Sequence, residues 1–138
     1  MYLLDTNVLS ELTKPRPEVV VSRRIYATSK ERLFASEMTR YELRYGAELK
    51  EQPNKLWERI HTLVLPIPIW LPVNGEVASA TADLDARLTR QGRRIELADV
   101  CIAATARVYD LVLVTRNTRH FADIPDLTVE NWFPERDR

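Results

Sequence analysis

The chain has 138 residues, enough for one domain with a real core, and 45% hydrophobic with 29% charged residues is an ordinary globular composition in which nothing argues for disorder. Twenty basic residues cancel twenty acidic ones, which excludes the global positive field of a protein that binds nucleic acid mainly by neutralising phosphates; a polyanion would be met through local patches or a metal. The single cysteine, Cys101, excludes an internal disulfide, and the lack of a long apolar run or a charged-then-apolar leader points to the cytoplasm, with no membrane contact.

Tyr2, Leu3 and Leu4 form a brief apolar run without alternation, the pattern of a central strand buried on both faces of a parallel sheet. Asp5 stands at its carboxyl end, where open α/β sheets bind ligands, with Thr6 or Asn7 placed to cap the following helix. Asp5 reads either as a ligand or as a cap itself. Val8, Leu9 and Leu12 line a short helix that Pro15 and Pro17 stop. A second helix opens at Pro17 and Glu18 and carries Val21 and Ile25 inward to Ala27.

Leu33-Phe-Ala35 is the next strand. In the helix after it, predicted to run to Lys50, Thr39 and Glu42 have the T-x-x-E spacing of a capping box, whose glutamate needs no ligand. Gly46 costs about 1 kcal/mol against Ala in a helix, so a close backbone crossing is expected there. Pro53 and Asn54 mark a break. Leu56, Ile60, Leu63 and Val64 define an amphipathic helix, with Trp57 extending its apolar surface. Pro66, Pro68 and Pro72 restrict Ile69-Trp-Leu71 to an edge strand or connector. Asn74 caps the next helix, Val77, Thr81, Leu84 and Leu88 line it, and Gly92 ends it.

Asp99 stands at the entrance of Val100–Ala106, a segment apolar nearly all round and so a central buried helix. A carboxylate there is favoured by the macrodipole, which is also a common purely structural arrangement. Val112-Leu-Val-Thr115 is a strand, and Arg116-Asn-Thr-Arg-His-Phe121 is a polar turn at its carboxyl end. A turn around Pro125, a last short strand within Leu127–Trp132 and a charged, frayed tail complete the chain.

Strands alternating with helices predict βαβ units and a three-layer α/β/α fold around a short, mainly parallel sheet in one domain, residues 1–138. In that architecture Asp5, Glu42, Asp99 and the Thr115–Asn117 turn can face one rim. Three acids converging there repel one another unless a cation is bound, which separate capping roles do not explain. Oxygen ligands without Cys or His clusters suit Mg²⁺, or Mn²⁺, rather than zinc.

Leu4-Asp-Thr-Asn7, Thr39-x-x-Glu42-Leu-Arg-x-Gly46, Gly92 followed by Asp99-x-x-Ile-Ala-Ala-Thr-Ala106, and Val114-Thr-Arg-Asn117-Thr together resemble a PIN-domain ribonuclease of the VapC toxin type, on its FitB-like branch. Order and spacing agree across nearly the whole chain. The resemblance implies a metal-dependent phosphodiesterase with its acidic quartet at Asp5, Glu42, Asp99 and position 117. Many members carry Asp at that last position and this chain has Asn117, one negative charge fewer, which favours one firmly held Mg²⁺ with any second ion arriving with substrate. The implied mechanism is attack of a metal-activated water on phosphorus, with Asp5 and Asp99 as ligands, Glu42 ligating through water or positioning the nucleophile, and Asn117 completing the shell.

Thr6 and Thr115 read as supports that orient a carboxylate or water, or as plain caps. Arg93, Arg94, Arg116 and Arg119 read as phosphate contacts or as a solvated face. His61 and His120 have no partner at metal spacing and are not expected to be ligands; Cys101 reads as an inert buried helix residue, and the tryptophans as core or interface. The implied partners are an RNA substrate, tRNA before rRNA, a second copy of the chain in a homodimer, and a small cognate antitoxin with a DNA-binding N-terminus, which alone contacts operator DNA. Two other readings are a weakly active or inactive PIN module acting mainly in operator binding, and a processing nuclease without a toxic role.

Overall fold

The computed structural model describes residues 1–135. Its centre is one five-stranded sheet, parallel throughout, in the order β3-β2-β1-β4-β5. The strands are β1 (Tyr2–Leu4), β2 (Leu33–Ser36), β3 (Ile69–Leu71), β4 (Val112–Val114) and β5 (Val129–Glu130). Seven α-helices connect or flank them: α1 (Thr6–Leu9), α2 (Val19–Ala27), α3 (Glu37–Glu48), α4 (Pro53–Leu63), α5 (Gly75–Arg90), α6 (Leu97–Val108) and α7 (Thr118–Phe121). Single 3₁₀ turns follow α1 and precede β2.

The brevity of β1 and its lack of alternation have the reason expected of a central strand: both faces are covered. Leu4 packs with Val8, Leu9, Val21, Ile25, Leu43, Ile60 and Val114 in the layer carrying α1 to α4. Leu3, one residue earlier and so on the opposite face, packs with Leu84, Leu88, Val100, Ile102 and Leu113 in the layer carrying α5 and α6. β3, rich in neighbouring prolines, lies at one edge of the sheet, where a missing amide donor does no harm.

Local chemistry sets most helix ends. Asn74 accepts from the Val77 amide at 3.0 Å, and Val77, Thr81, Leu84 and Leu88 form the buried stripe of α5. The helix closes on Gly92, whose φ of +72° is open to glycine at no steric cost, while the Arg93 amide returns to the Leu88 carbonyl. Pro53 starts α4 rather than ending the element before it, because a first-turn position needs no amide donor. The second helix starts at Val19, two residues later than expected, with Glu18 as its N-cap.

Two other expectations are corrected. α3 opens at Glu37, one turn earlier than the T-x-x-E spacing suggests, because the Ser36 hydroxyl at the end of β2 takes the Met38 amide at 3.0 Å. Thr39 is consequently buried inside the helix, and Glu42 lies a full turn too deep to reach any cap. Gly46 has no close crossing: a methyl built on it would meet nothing within 4 Å. The expected frayed tail falls largely on residues 136–138, outside the described residues.

Candidate active site

The chain leaves β1 toward β2 and β3 on one side, then returns to place β4 on the other side of β1. Such a reversal opens a crevice at the carboxyl ends of the two strands, the usual ligand position in open α/β sheets. Asp5 and Thr115 sit one residue beyond β1 and β4, on the two lips of that crevice. The Asp5 amide still pairs with the Val114 carbonyl at 2.9 Å, which holds the lips together.

Asp5 is buried and held by three donors. Its Oδ1 accepts from the Thr6 amide at 2.8 Å, making it the N-cap of α1 in place of Thr6 or Asn7. Its Oδ2 accepts from the Thr115 hydroxyl at 2.8 Å and more weakly from Asn7 Nδ2 at 3.4 Å. Asn7 also ties the two lips together, since its Oδ1 accepts from the Arg116 amide at 3.0 Å. The Thr6 hydroxyl donates to Glu42 Oε1 at 2.6 Å, so one residue anchors two acids through its amide and its side chain. α6 delivers Asp99 from its first turn.

One carboxylate oxygen each from Asp5, Glu42 and Asp99 lies within 4.8 Å of the other two. They line an open cleft of about 630 Å³ together with Asn7, Arg94, Glu96, Asn117 and His120. Burial pushes all three carboxyls above their ordinary pKa, and mutual repulsion adds to this: Asp99 acts on Asp5, Asp5 and Asp99 on Glu42, and Glu96 on Glu42 and Asp99. Bonds from Thr115 and Thr6 pull Asp5 back, Thr6 pulls Glu42 back and His120 pulls Asp99 back without cancelling the rise. Among the described residues no Lys or Arg pairs with any of the three within 4.0 Å. An all-oxygen donor set short of positive charge suits a hard divalent cation.

The remaining sequence candidates divide. Asn117 is the N-cap of α7 on the cleft wall; its side chain makes no capping bond, and its amide donates to the Thr115 hydroxyl at 3.0 Å. Arg94 lines the cleft, whereas Arg93 reaches Asp123 at 4.0 Å and the Arg116 guanidinium lies 4.5 Å over the Phe133 ring. Arg119 is exposed on α7. Cys101 is buried in α6. Trp132 is core, and Trp57 and Trp70 are half-buried under Arg44 and Arg40, so no tryptophan presents an open ring to the cleft.

His120 is where sequence reasoning fell short. Its Nδ1 is 3.5 Å from Asp99 Oδ2, a partner on a different helix and 21 positions away, which no local spacing rule reveals. The available signal was that His120 follows Asn117 by one helical turn and so shares its face.

Parallel topology, the switch-point crevice and its acid cluster define an α/β/α protein with three carboxylates that could hold a cation at the carboxyl ends of its interior strands. The PIN domain model matches residues 2–127. Over 131 residues the chain is 34% identical to the tRNA(fMet)-specific endonuclease VapC of Shigella flexneri, covering 95% of this chain and 97% of that protein. It is 36% identical over 126 residues to toxin FitB of Neisseria gonorrhoeae, covering 88% and 91%. Solved structures agree: the Neisseria gonorrhoeae FitAcB complex superposes with a TM-score of 0.83 at 35% identity, covering 96% of this chain and 98% of that one. DNA-bound VapBC of Salmonella typhimurium gives 0.85 at 30%, covering 95% and 97%. The chain belongs to the PIN-domain family, on its VapC/FitB branch.

Proposed function

We propose that this chain is the toxin of a type II toxin–antitoxin pair, an endoribonuclease that hydrolyses RNA phosphodiester bonds with Mg²⁺, or Mn²⁺, held by Asp5, Glu42 and Asp99. The observation that carries this reading is the convergence of three carboxylate oxygens within 4.8 Å at the switch point, with no Lys or Arg among the described residues paired to them within 4.0 Å. When bound, a divalent cation supplies Lewis acidity that activates a water and offsets charge growing on the phosphoryl oxygens.

The chain's own residues do the rest. Asp5, clamped by three donors, and Asp99 would hold the ion directly; Glu42, fixed through Thr6, would either ligate it through a water or position the attacking water; Asn117 offers a carbonyl oxygen at the cleft wall. Arg94, of the four candidate arginines the one on the cleft, takes the substrate phosphate, while Arg93 and Arg116 are engaged elsewhere. Thr6 and Thr115 serve as supports. The substrate is tRNA first and rRNA second: relatives from Shigella flexneri and Salmonella typhimurium bear the name tRNA(fMet)-specific endonuclease.

The partner is inferred from the solved structures that resemble this chain, which are FitAB and VapBC complexes, some with DNA. A small antitoxin with a DNA-binding N-terminus covers the acidic cleft, and operator DNA is reached through it. Residues 1–138 act as one domain in a homodimer in the cytoplasm; among the described residues no helix is long and apolar enough to cross a membrane.

The test is cleavage of total RNA by antitoxin-free protein on a denaturing gel with Mg²⁺, beside a chelated sample and an Asp99→Asn variant. Discrete products lost in both controls support the endoribonuclease and identify the RNA class. Products surviving both refute the site. Divalent binding without cleavage transfers the proposal to the operator-binding module, for which the missing charge at Asn117 is the physical ground.

A further inference from the structure

A carboxylate offers its oxygen to a cation in one geometry only if its remaining lone pairs are held, so each acid of the cluster needs a donor. Asp5 has the Thr6 amide, the Thr115 hydroxyl and Asn7, and Glu42 has the Thr6 hydroxyl. Asp99 has neither an amide nor a hydroxyl among the described residues. The group within reach is His120, whose Nδ1 lies 3.5 Å from Oδ2.

His120 is placed there by its own element. Its amide donates to the Asn117 carbonyl at 3.1 Å, closing the single turn of α7. Its ring meets the Phe121 ring edge-on with centroids 6.3 Å apart, and Phe121 is buried in the layer that holds α6. The Phe121 anchor therefore sets where α7 stands relative to Asp99. His120 is not itself one of the mutually close ligand atoms, which are those of Asp5, Glu42 and Asp99. Its imidazole lines the same cleft.

We propose that His120 is a positioning residue for Asp99: it donates its Nδ1 proton to Oδ2 and holds the third carboxylate in the orientation in which the cluster receives a cation. The assignment rests on the cation reading above. It makes the three acids equivalent in design, each with a side-chain donor, two from threonines and one from histidine.

The experiment is Mn²⁺ titration of the purified, antitoxin-free chain by calorimetry, with bound ion followed by electron paramagnetic resonance, for the natural chain, H120A and H120N. Loss of a group that orients a metal ligand costs about ten- to a hundredfold in affinity. H120A should therefore bind Mn²⁺ at least about tenfold more weakly, with a broadened bound-ion spectrum. H120N, whose amide can take the place of the Nδ1 donor, should recover most of the loss. Because the imidazole is exposed, the metal-free melting temperature should stay unchanged in both.

H120A binding within about twofold of the natural chain overturns the assignment, as does H120N no better than H120A. Cleavage falling while Mn²⁺ affinity holds also overturns it and moves His120 to the RNA. A natural chain that binds no Mn²⁺ fails the cation reading itself, a different result because no variant enters it.

Discussion

Thr115→Val removes one hydroxyl while keeping the side-chain shape, and that hydroxyl is the hub of the crevice. It donates to Asp5 Oδ2 at 2.8 Å and accepts from the Asn117 amide at 3.0 Å and Asn7 Nδ2 at 3.3 Å. A hydrogen bond to a charged group contributes about 1.5–3 kcal/mol, and one to a neutral group about 1. Asp5 keeps the Asn7 contact at 3.4 Å, and Asn117 is exposed enough for water to replace its acceptor. The expected loss is therefore in the lower half of the charged range, about 2 kcal/mol at about pH 8. Burial raises the Asp5 pKa, so lowering the pH to about 4 protonates its native carboxyl to a greater extent than an ordinary aspartate's, and the loss should shrink toward about 1 kcal/mol. Urea unfolding in chelator at the two pH values, with a common slope, measures both numbers. An unchanged midpoint at the higher pH, or an equal loss at both, refutes the hydroxyl's role as the anchor of an ionised Asp5.

Three further outcomes follow from the same geometry. The Asp5, Glu42 and Asp99 carboxyls are raised, chiefly by burial, so the metal-free native state binds more protons than the unfolded chain; their contribution is lost as pH climbs from the ordinary carboxylate range through the raised values. Asp99→Asn should accordingly raise the metal-free melting temperature at about pH 8 and lose that advantage toward about pH 4; a variant less stable at the higher pH counts against it. Gly46→Ala should stabilise by about 0.5–1 kcal/mol in urea, since the methyl meets nothing, and a loss would mean the open space is misread. Asn117→Asp should tighten Mn²⁺ binding by adding a carboxylate to the cleft wall beside those of Asp5, Glu42, Glu96 and Asp99; unchanged affinity in titration would remove position 117 from the ion's surroundings.

Much of this was legible in the sequence because burial on two faces leaves a plain signature. Leu3 and Leu4 are consecutive apolar residues that enter opposite layers, and neither a hairpin strand nor a surface helix requires that. Asn74 and the α5 stripe were equally readable, being local in sequence and in space. The capping box was not, because Ser36 and Thr39 are both good caps three residues apart and the choice is made by where β2 ends. Gly46 misled because a helical glycine has more than one reason to persist, and a crossing within the chain is not the reason here. The His120 pairing was not legible for a topological reason: α7 and α6 share the layer in which Phe121 is buried, and the turn from Asn117 to His120 places His120 on the site's face without identifying Asp99 as its partner.

Capping a helix and belonging to the acid cluster are not competing roles. A carboxylate has two oxygens and about four lone-pair sites, so Asp5 caps α1 through Oδ1 and still belongs to the acid cluster. The same holds for Asp99, which the first turn of α6 favours through the helix dipole while its carboxylate faces the crevice. Glu42 alone is released from capping, because Ser36 does that work a turn and a half earlier. Two of the three acids, Asp5 and Asp99, thus stand at helix starts, where the peptide dipoles offset part of the repulsion among them. The offset is incomplete, since all three carboxyls remain raised. What the fold leaves uncompensated at this crevice is negative charge on three clustered, partly buried carboxylates, and that is the physical ground for proposing a cation here rather than at the exposed acids elsewhere.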